Sequence, residues 1–213
     1  MAHIVLVHGM LATKRSWNTL PKHLKSAGHT VTNLTLPGHA NPFEYLSTDM
    51  EEYVDDVAEA LANAGGAHLV GHSMGGFVIS RTAAAHANLV HGLVYVAAML
   101  PNDGDTIKGL ATRTGTSLRD IREEFSRAGV SAIGALGMQP FGPMDDPMID
   151  AATIAELPRH YVRCSEDRII PPRVQDEMLA NWVGTTTTDL TTGHLPQYTR
   201  PNELAAAVLS VIG

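Results

Sequence analysis

The sequence predicts an α/β fold, a mostly parallel sheet covered by helices on both faces, and two observations carry that expectation. Short apolar runs of strand length alternate with amphipathic stretches of helical period for most of the chain, which is how a sheet buried on both faces reads. In one place a strand-like run, a serine between glycines and a helical stretch follow each other directly, at Ala67 to Ala87. With 213 residues, 44% of them hydrophobic, the chain can bury a full core and is short enough for one domain, 1–213, to be the expectation.

In order, strands are expected over 2–7, 30–34, 68–70, 92–98, 160–164 and 186–190, each an apolar or β-branched run of four to seven residues or slightly shorter. Helices are expected over 16–27, 48–64, 74–87, 172–181 and 200–211. In the second of these Tyr53, Val57, Ala60, Leu61 and Ala64 recur at helical spacing, and the acidic residues between them form a solvated face. Residues 102–158 break the alternation. They are rich in Gly, Met, Pro and Asp, with one clear amphipathic helix over 117–128, and so long an irregular connection in a compact domain points to a functional lid. Met138, Phe141, Met144 and Met148 either wall a pocket beneath it or pack it onto the body, since thioether chains fill irregular shapes.

Composition narrows the partners. A net charge of −7 without a cluster of Lys or Arg argues against a nucleic-acid or anionic-membrane surface, so a small-molecule ligand is expected. The single cysteine, Cys164, excludes an internal disulfide and sits in an apolar run as an inert buried thiol. The first residues pass straight into Ile4-Val5-Leu6-Val7 with no signal-peptide pattern, and no apolar run reaches the roughly 18 residues of a spanning helix, so a cytoplasmic protein is expected. No histidine pair is spaced as metal ligands around a carboxylate, and neither a metal nor another cofactor is expected.

The chemistry starts at Gly71-His72-Ser73-Met74-Gly75, a G-x-S-x-G elbow in which flanking glycines let the backbone turn sharply enough to present the serine hydroxyl above the sheet. A serine hydroxyl is a weak nucleophile at neutral pH and needs a base within hydrogen-bond reach and a carboxylate behind that base. In sheets of this type the chain order is serine, acid, histidine. His194, in Thr192-Gly193-His194-Leu195-Pro196, and Asp167 each follow the end of an expected strand, the edge at which open parallel sheets gather their sites. Glu166 lies next to Asp167, and Asp103 and Asp105 follow the preceding core strand. Asp167 is favoured because its loop leads into the stiff Ile169-Ile170-Pro171-Pro172, with proline opening a helix. Among the other histidines, His23, His29, His86 and His91 are expected to be solvated or structural and His68 to be buried. His39 falls too early in the chain, and His72 should point away from the hydroxyl. The charge developing on a substrate oxygen would be held by the backbone N–H of Met74 and of Met10 in the loop His8-Gly9-Met10.

On these residues the chain resembles the α/β-hydrolase superfamily over essentially its whole length. Val94-Tyr95-Val96-Ala97-Ala98-Met99-Leu100-Pro101, Gly104, Gly193-His194-Leu195-Pro196 and Arg200-Pro201-Asn202-Glu203-Leu204 look like the clade of plant methylesterases, hydroxynitrile lyases and bacterial pyrethroid-type esterases. The resemblance implies hydrolysis of a small carboxylic ester through a Ser73–His194–Asp167 triad and an acyl-enzyme, with Gly9, Leu11, Leu195, Met138, Phe141 and Met144 against the substrate. Lyases of the clade usually carry threonine in place of Gly9 and a lysine in place of Leu195, so both positions favour hydrolysis. The alternatives are a lyase or amidase-type relative using the same triad, or a small-molecule receptor on the same fold. The chain is shorter than typical members, with a lid that looks trimmed.

Overall fold

Period-two alternation sends successive side chains of each strand to opposite faces of the sheet, and two cores result. In β1 (His3–Val7), Ile4 and Leu6 enter one core while Val5 and Val7 enter the other. The computed structural model describes residues 1–41, 43, 45–130 and 137–213. Within them β2 (Thr30–Asn33), β3 (Ala67–His72), β4 (Val90–Val96), β5 (Arg159–Cys164) and β6 (Thr186–Leu190) complete a six-stranded sheet in the order β2-β1-β3-β4-β5-β6, with every pairing parallel. From β1 the chain first steps outward to β2 and then crosses back to β3, so the crevice above the carboxyl ends of β1 and β3 is a topological switch point, where such sheets bind ligands.

One face is covered by α1 (Leu20–Ser26) and the C-terminal helix, through Leu20, Leu24, Leu204 and Val208 packed with Trp17 on Ile4, Leu6, Val70 and Val94. The other carries α2 (Met50–Ala64) and α3 (Gly75–Ala85), whose Tyr53, Val57, Phe77 and Val78 pack on Val5, Leu69 and Tyr95. The start of α2 is fixed by a capping box: the Asp49 carboxylate accepts the Glu52 N–H while the Glu52 carboxylate accepts that of Asp49. Its end is closed by Gly65 in the left-handed conformation.

Two expectations are corrected. The helix expected over 16–27 is a 3-10 turn at Lys14–Trp17 followed by α1, because Asn18 takes φ 51° and Pro21 restricts the residue before it and brings no N–H. The segment over 102–158 is more regular than expected. It contains α4 (Ile107–Thr114), α5 (Leu118–Arg127), a 3-10 turn at Gly142–Met144 and α6 (Ala151–Ile154), while residues 131–136 lie outside the described residues. After β5 come α7 (Pro172–Ala180) and, beyond β6, α8 (Pro196–Thr199) and α9 (Pro201–Ile212). Among the described residues no helix is long and apolar enough to cross a membrane.

Candidate active site

Between β3 and α3 the backbone turns at Ser73, which takes φ 55°, a region that costs a non-glycine residue about 1–3 kcal/mol and persists only where its surroundings enforce it. The enforcement is visible. The Ser73 N–H donates to the Val96 carbonyl at 3.3 Å, and the Ser73 carbonyl accepts from Met99 at 2.9 Å and Gly76 at 3.1 Å, so the elbow is tied to the end of β4. A β-carbon on Gly71 would lie 2.5 Å from the Gly75 carbonyl oxygen, and one on Gly75 would overlap the Val7 carbonyl. Only glycine permits this approach of helix to strand. The loop after β1 is equally close, since a β-carbon on Gly9 would stand 2.8 Å from that of Ser73. Among the described residues neither the Met10 nor the Met74 N–H takes a protein acceptor, and both follow segments packed against Ser73.

His194 and Asp167 meet as the chain order requires. The His194 Nδ1 lies 2.8 Å from Asp167 Oδ2, with both residues 3% exposed. The second carboxylate oxygen of Asp167 accepts the N–H groups of Ile169 at 2.7 Å and Ile170 at 2.8 Å, which fixes the carboxylate and closes the turn before Pro171 and Pro172. With Nδ1 donating to the carboxylate, Nε2 is left as the proton acceptor on the cavity side. Ser73 and His194 line the same cavity. The Ser73 hydroxyl makes no hydrogen bond to Nε2 here, a contact that commonly tightens only with substrate.

The other candidate acids go elsewhere. Asp103 caps α6 by accepting the Ala151 N–H at 2.7 Å, Asp105 accepts the Asn102 N–H at 2.9 Å, and Glu166 is exposed. The neighbouring histidines are structural. The His72 Nε2 donates to the His194 carbonyl at 2.8 Å, and burial, then the proximity of His194, lowers its pKa to about 3. Burial and then His39 lower that of His8 to about 3; its Nε2 accepts the Leu36 N–H at 3.0 Å. His39, lowered to about 4 by burial, bridges the Ala12 carbonyl and the Tyr53 hydroxyl. His68 is half-buried beside His91 rather than fully buried. Burial pushes the Cys164 thiol well above its ordinary range, which keeps it protonated.

The cavity encloses about 220 Å³ above Ser73. Gly9, Met10, Leu11 and Leu195 line it, but Met138, Phe141 and Met144 do not. Phe141 is 71% exposed with its ring 5.9 Å from that of Tyr45, Met144 packs against the core, and Met138 lines a separate groove with Lys14 and His39. Met148 is buried in the core. The lid contributes to the wall through other residues: Ala111 and Thr114 of α4, Ile121 and Phe125 of α5, and Val130, facing Ile169 and Ile170. Ile121 and Phe125 stand one helical turn apart on the helix expected over 117–128, so their shared face was readable as a wall once that helix was placed.

A model of the alpha/beta hydrolase family matches residues 4–207. The chain belongs to the alpha/beta hydrolase family. Within it, the chain is 31% identical to a pyrethroid hydrolase of Sphingobium wenxiniae over 96% of this chain and 85% of that protein. It is 22% identical to methylesterase 1 of Arabidopsis thaliana over 98% of this chain and 95% of the plant protein. Among solved structures, a pyrethroid hydrolase from Sphingobium faniae superposes with a TM-score of 0.86 at 29% identity, covering 98% of this chain and 96% of that one. Each of these matches runs over almost the full length of the chain.

Proposed function

We propose that the protein hydrolyses a small, largely apolar carboxylic ester through Ser73, His194 and Asp167. The observation that carries the reading is the 2.8 Å bond from His194 to a buried Asp167 on the rim of the cavity into which the strained Ser73 opens. Relatives named pyrethroid hydrolase and methylesterase support ester chemistry.

In the first half-reaction Ser73 Oγ attacks the ester carbonyl carbon while its proton passes to His194 Nε2. Asp167 holds the imidazole in the tautomer that receives it and stabilises the imidazolium. The carbonyl oxygen becomes an oxyanion facing the Met10 and Met74 N–H groups. Collapse of the intermediate breaks the bond to the alkoxy oxygen, which takes the proton from His194 and leaves as the alcohol. Water then attacks the acyl-enzyme, giving its proton to His194, and the second collapse releases the acid and returns the proton to Ser73. The lining of Ile121, Phe125, Ile169, Ile170 and Leu195 favours apolar acyl and alcohol groups, and Leu195 offers no cation after His194 to stabilise a cyanide leaving group. Hydrolysis of p-nitrophenyl acetate by the protein and by Ser73→Ala tests the reading: a loss of at least about 10³-fold in kcat is expected. Equal turnover by the two proteins overturns it.

A further inference from the structure

His194 is held at three points by three separate segments. Its side chain is fixed by Asp167 and its carbonyl by His72, but its backbone N–H donates to a side chain of the lid, Glu124 Oε2 on α5, at 2.8 Å. Glu124 is 2% exposed. That is the one hydrogen bond of its carboxylate among the described residues, and the nearest cation, Arg127 Nη1, stands 4.0 Å from the other oxygen. A buried carboxylate so sparsely partnered is expensive, and hydrophobic residues of similar size would pack the same space at lower cost. The loop is shaped to receive it, since a β-carbon on Gly193 would overlap Glu124 Oε2. The preceding residue, Glu123, pairs with Arg168, directly after Asp167, and Thr116 at the foot of α5 donates to the Ile169 carbonyl at 2.6 Å. Two turns of α5 therefore grip both the acid loop and the histidine loop, while Ile121 and Phe125 of the same helix face the cavity.

We infer that Glu124 is a positioning residue for the proposed base, a latch through which the seating of lid helix α5 sets the placement of His194. The inference rests on the hydrolase reading for its kinetic consequence and on geometry alone for its structural one. Substrate that packs on Ile121 and Phe125 also stabilises the helix that orients His194, so contact with the apolar wall and readiness of the base are linked through one rigid element.

The test compares Glu124→Ala with Glu124→Gln, whose amide oxygen still accepts the His194 N–H. With p-nitrophenyl acetate, Glu124→Ala should lose about 10- to 100-fold in kcat with little change in KM, as expected of a base displaced by up to an ångström, and Glu124→Gln should recover most of the loss. In parallel, the low-field proton NMR signal of the His194 Nδ1–H bonded to Asp167 should broaden or vanish in the alanine variant and persist in the glutamine variant. If Glu124→Ala does not fold, Glu124→Asp keeps the charge but falls one methylene short and should show the same losses. Wild-type kcat and an unchanged low-field proton in the alanine or aspartate variant overturn the latch, as does a glutamine variant as impaired as alanine. A wild-type protein that hydrolyses no ester sinks the hydrolase reading instead, and the NMR comparison then still decides the latch.

Discussion

The two walls of the cavity are built on different principles. The wall that carries Ser73 is made largely of backbone: Gly71 and Gly75 lie so close to neighbouring main chain, and Gly9 so close to the Ser73 β-carbon, that there is no room for a β-carbon at any of the three glycines. The lid wall is made of side chains, with Ile121 and Phe125 presented by a helix whose flanking glycines, Gly115 and Gly129, have open space around them. The two walls therefore tolerate change in different places. The first has no slack for the chemistry proposed for it, whereas the second sets shape and can be resized residue by residue.

The sharpest separation should come from the carboxylates. Asp167→Asn keeps an oxygen to accept the Ile169 and Ile170 N–H groups, so the loop should stay folded, yet it loses the charge that selects the imidazole tautomer. Its kcat on p-nitrophenyl acetate should fall by about 10⁴-fold with little change in melting temperature. Asp103→Asn, altering a carboxylate that caps a lid helix, should leave kcat unchanged. Comparable losses in the two variants would show that the acid had been assigned to the wrong wall.

Next in size is the cost of a methyl group in the backbone-built wall. Gly75→Ala forces a β-carbon into the Val7 carbonyl and should destabilise the fold by more than about 4 kcal/mol in urea unfolding, the range of severe core disruption. Gly104→Ala in the lid meets no atom within 4 Å and carries only the strain of φ 82°, so about 1 kcal/mol is expected. Equal costs at the two glycines would mean that the elbow relaxes where its contacts say it cannot.

These contrasts also explain what was legible in the sequence. The sheet showed through because the inner strands β1, β3 and β4 are buried and leave apolar runs while β-branched threonines mark the edge strands β2 and β6, and the elbow because a backbone requirement writes glycine at fixed positions. The pairing of Asp167 with His194 was legible from their place after strand ends. In the lid, residue type is a poorer guide than position: Met138, Phe141 and Met144 are apolar yet lie off the cavity. The eight residues of α4 are too few for a clear helical period, and only its ends carry a signal: Thr106 caps its start and Gly115 ends it in the left-handed conformation. Glu124 had a signal too. Counted from Ile121, Glu124, Phe125 and Ala128 follow at three, four and seven residues, so the one acid on the inward face of an amphipathic helix marked itself as doing something other than meeting water.

A smaller effect probes the lid wall directly. Phe125→Ala removes apolar contact made equally in ground and transition states, so KM for an apolar ester should rise about tenfold with kcat nearly constant, a change of about 1.4 kcal/mol in binding. Phe141→Ala, altering a ring that points to solvent, should change neither constant. A response to Phe141 and not to Phe125 would place the substrate against the Phe141 side of the lid.

The last contrast lies beneath the Ser73 wall, where His8, His39 and His72 are buried neutral with pKa values near 3, 4 and 3. In the unfolded chain each titrates near 6.5. Above that pH both states are neutral and the stability is whole. As the pH falls below about 6.5 the unfolded chain takes up protons that the folded one refuses, so the unfolding free energy declines until the folded-state pKa values are reached. Each such proton contributes a slope of about 1.4 kcal/mol per pH unit, and urea titrations between pH 7 and pH 4.5 should show it. His39→Gln, which keeps a polar side chain beside the Ala12 carbonyl and Tyr53 hydroxyl, should reduce the slope by about one proton. An unchanged slope in that variant would mean that His39 takes up its proton while folded, and that the packing under the elbow has room for a charge.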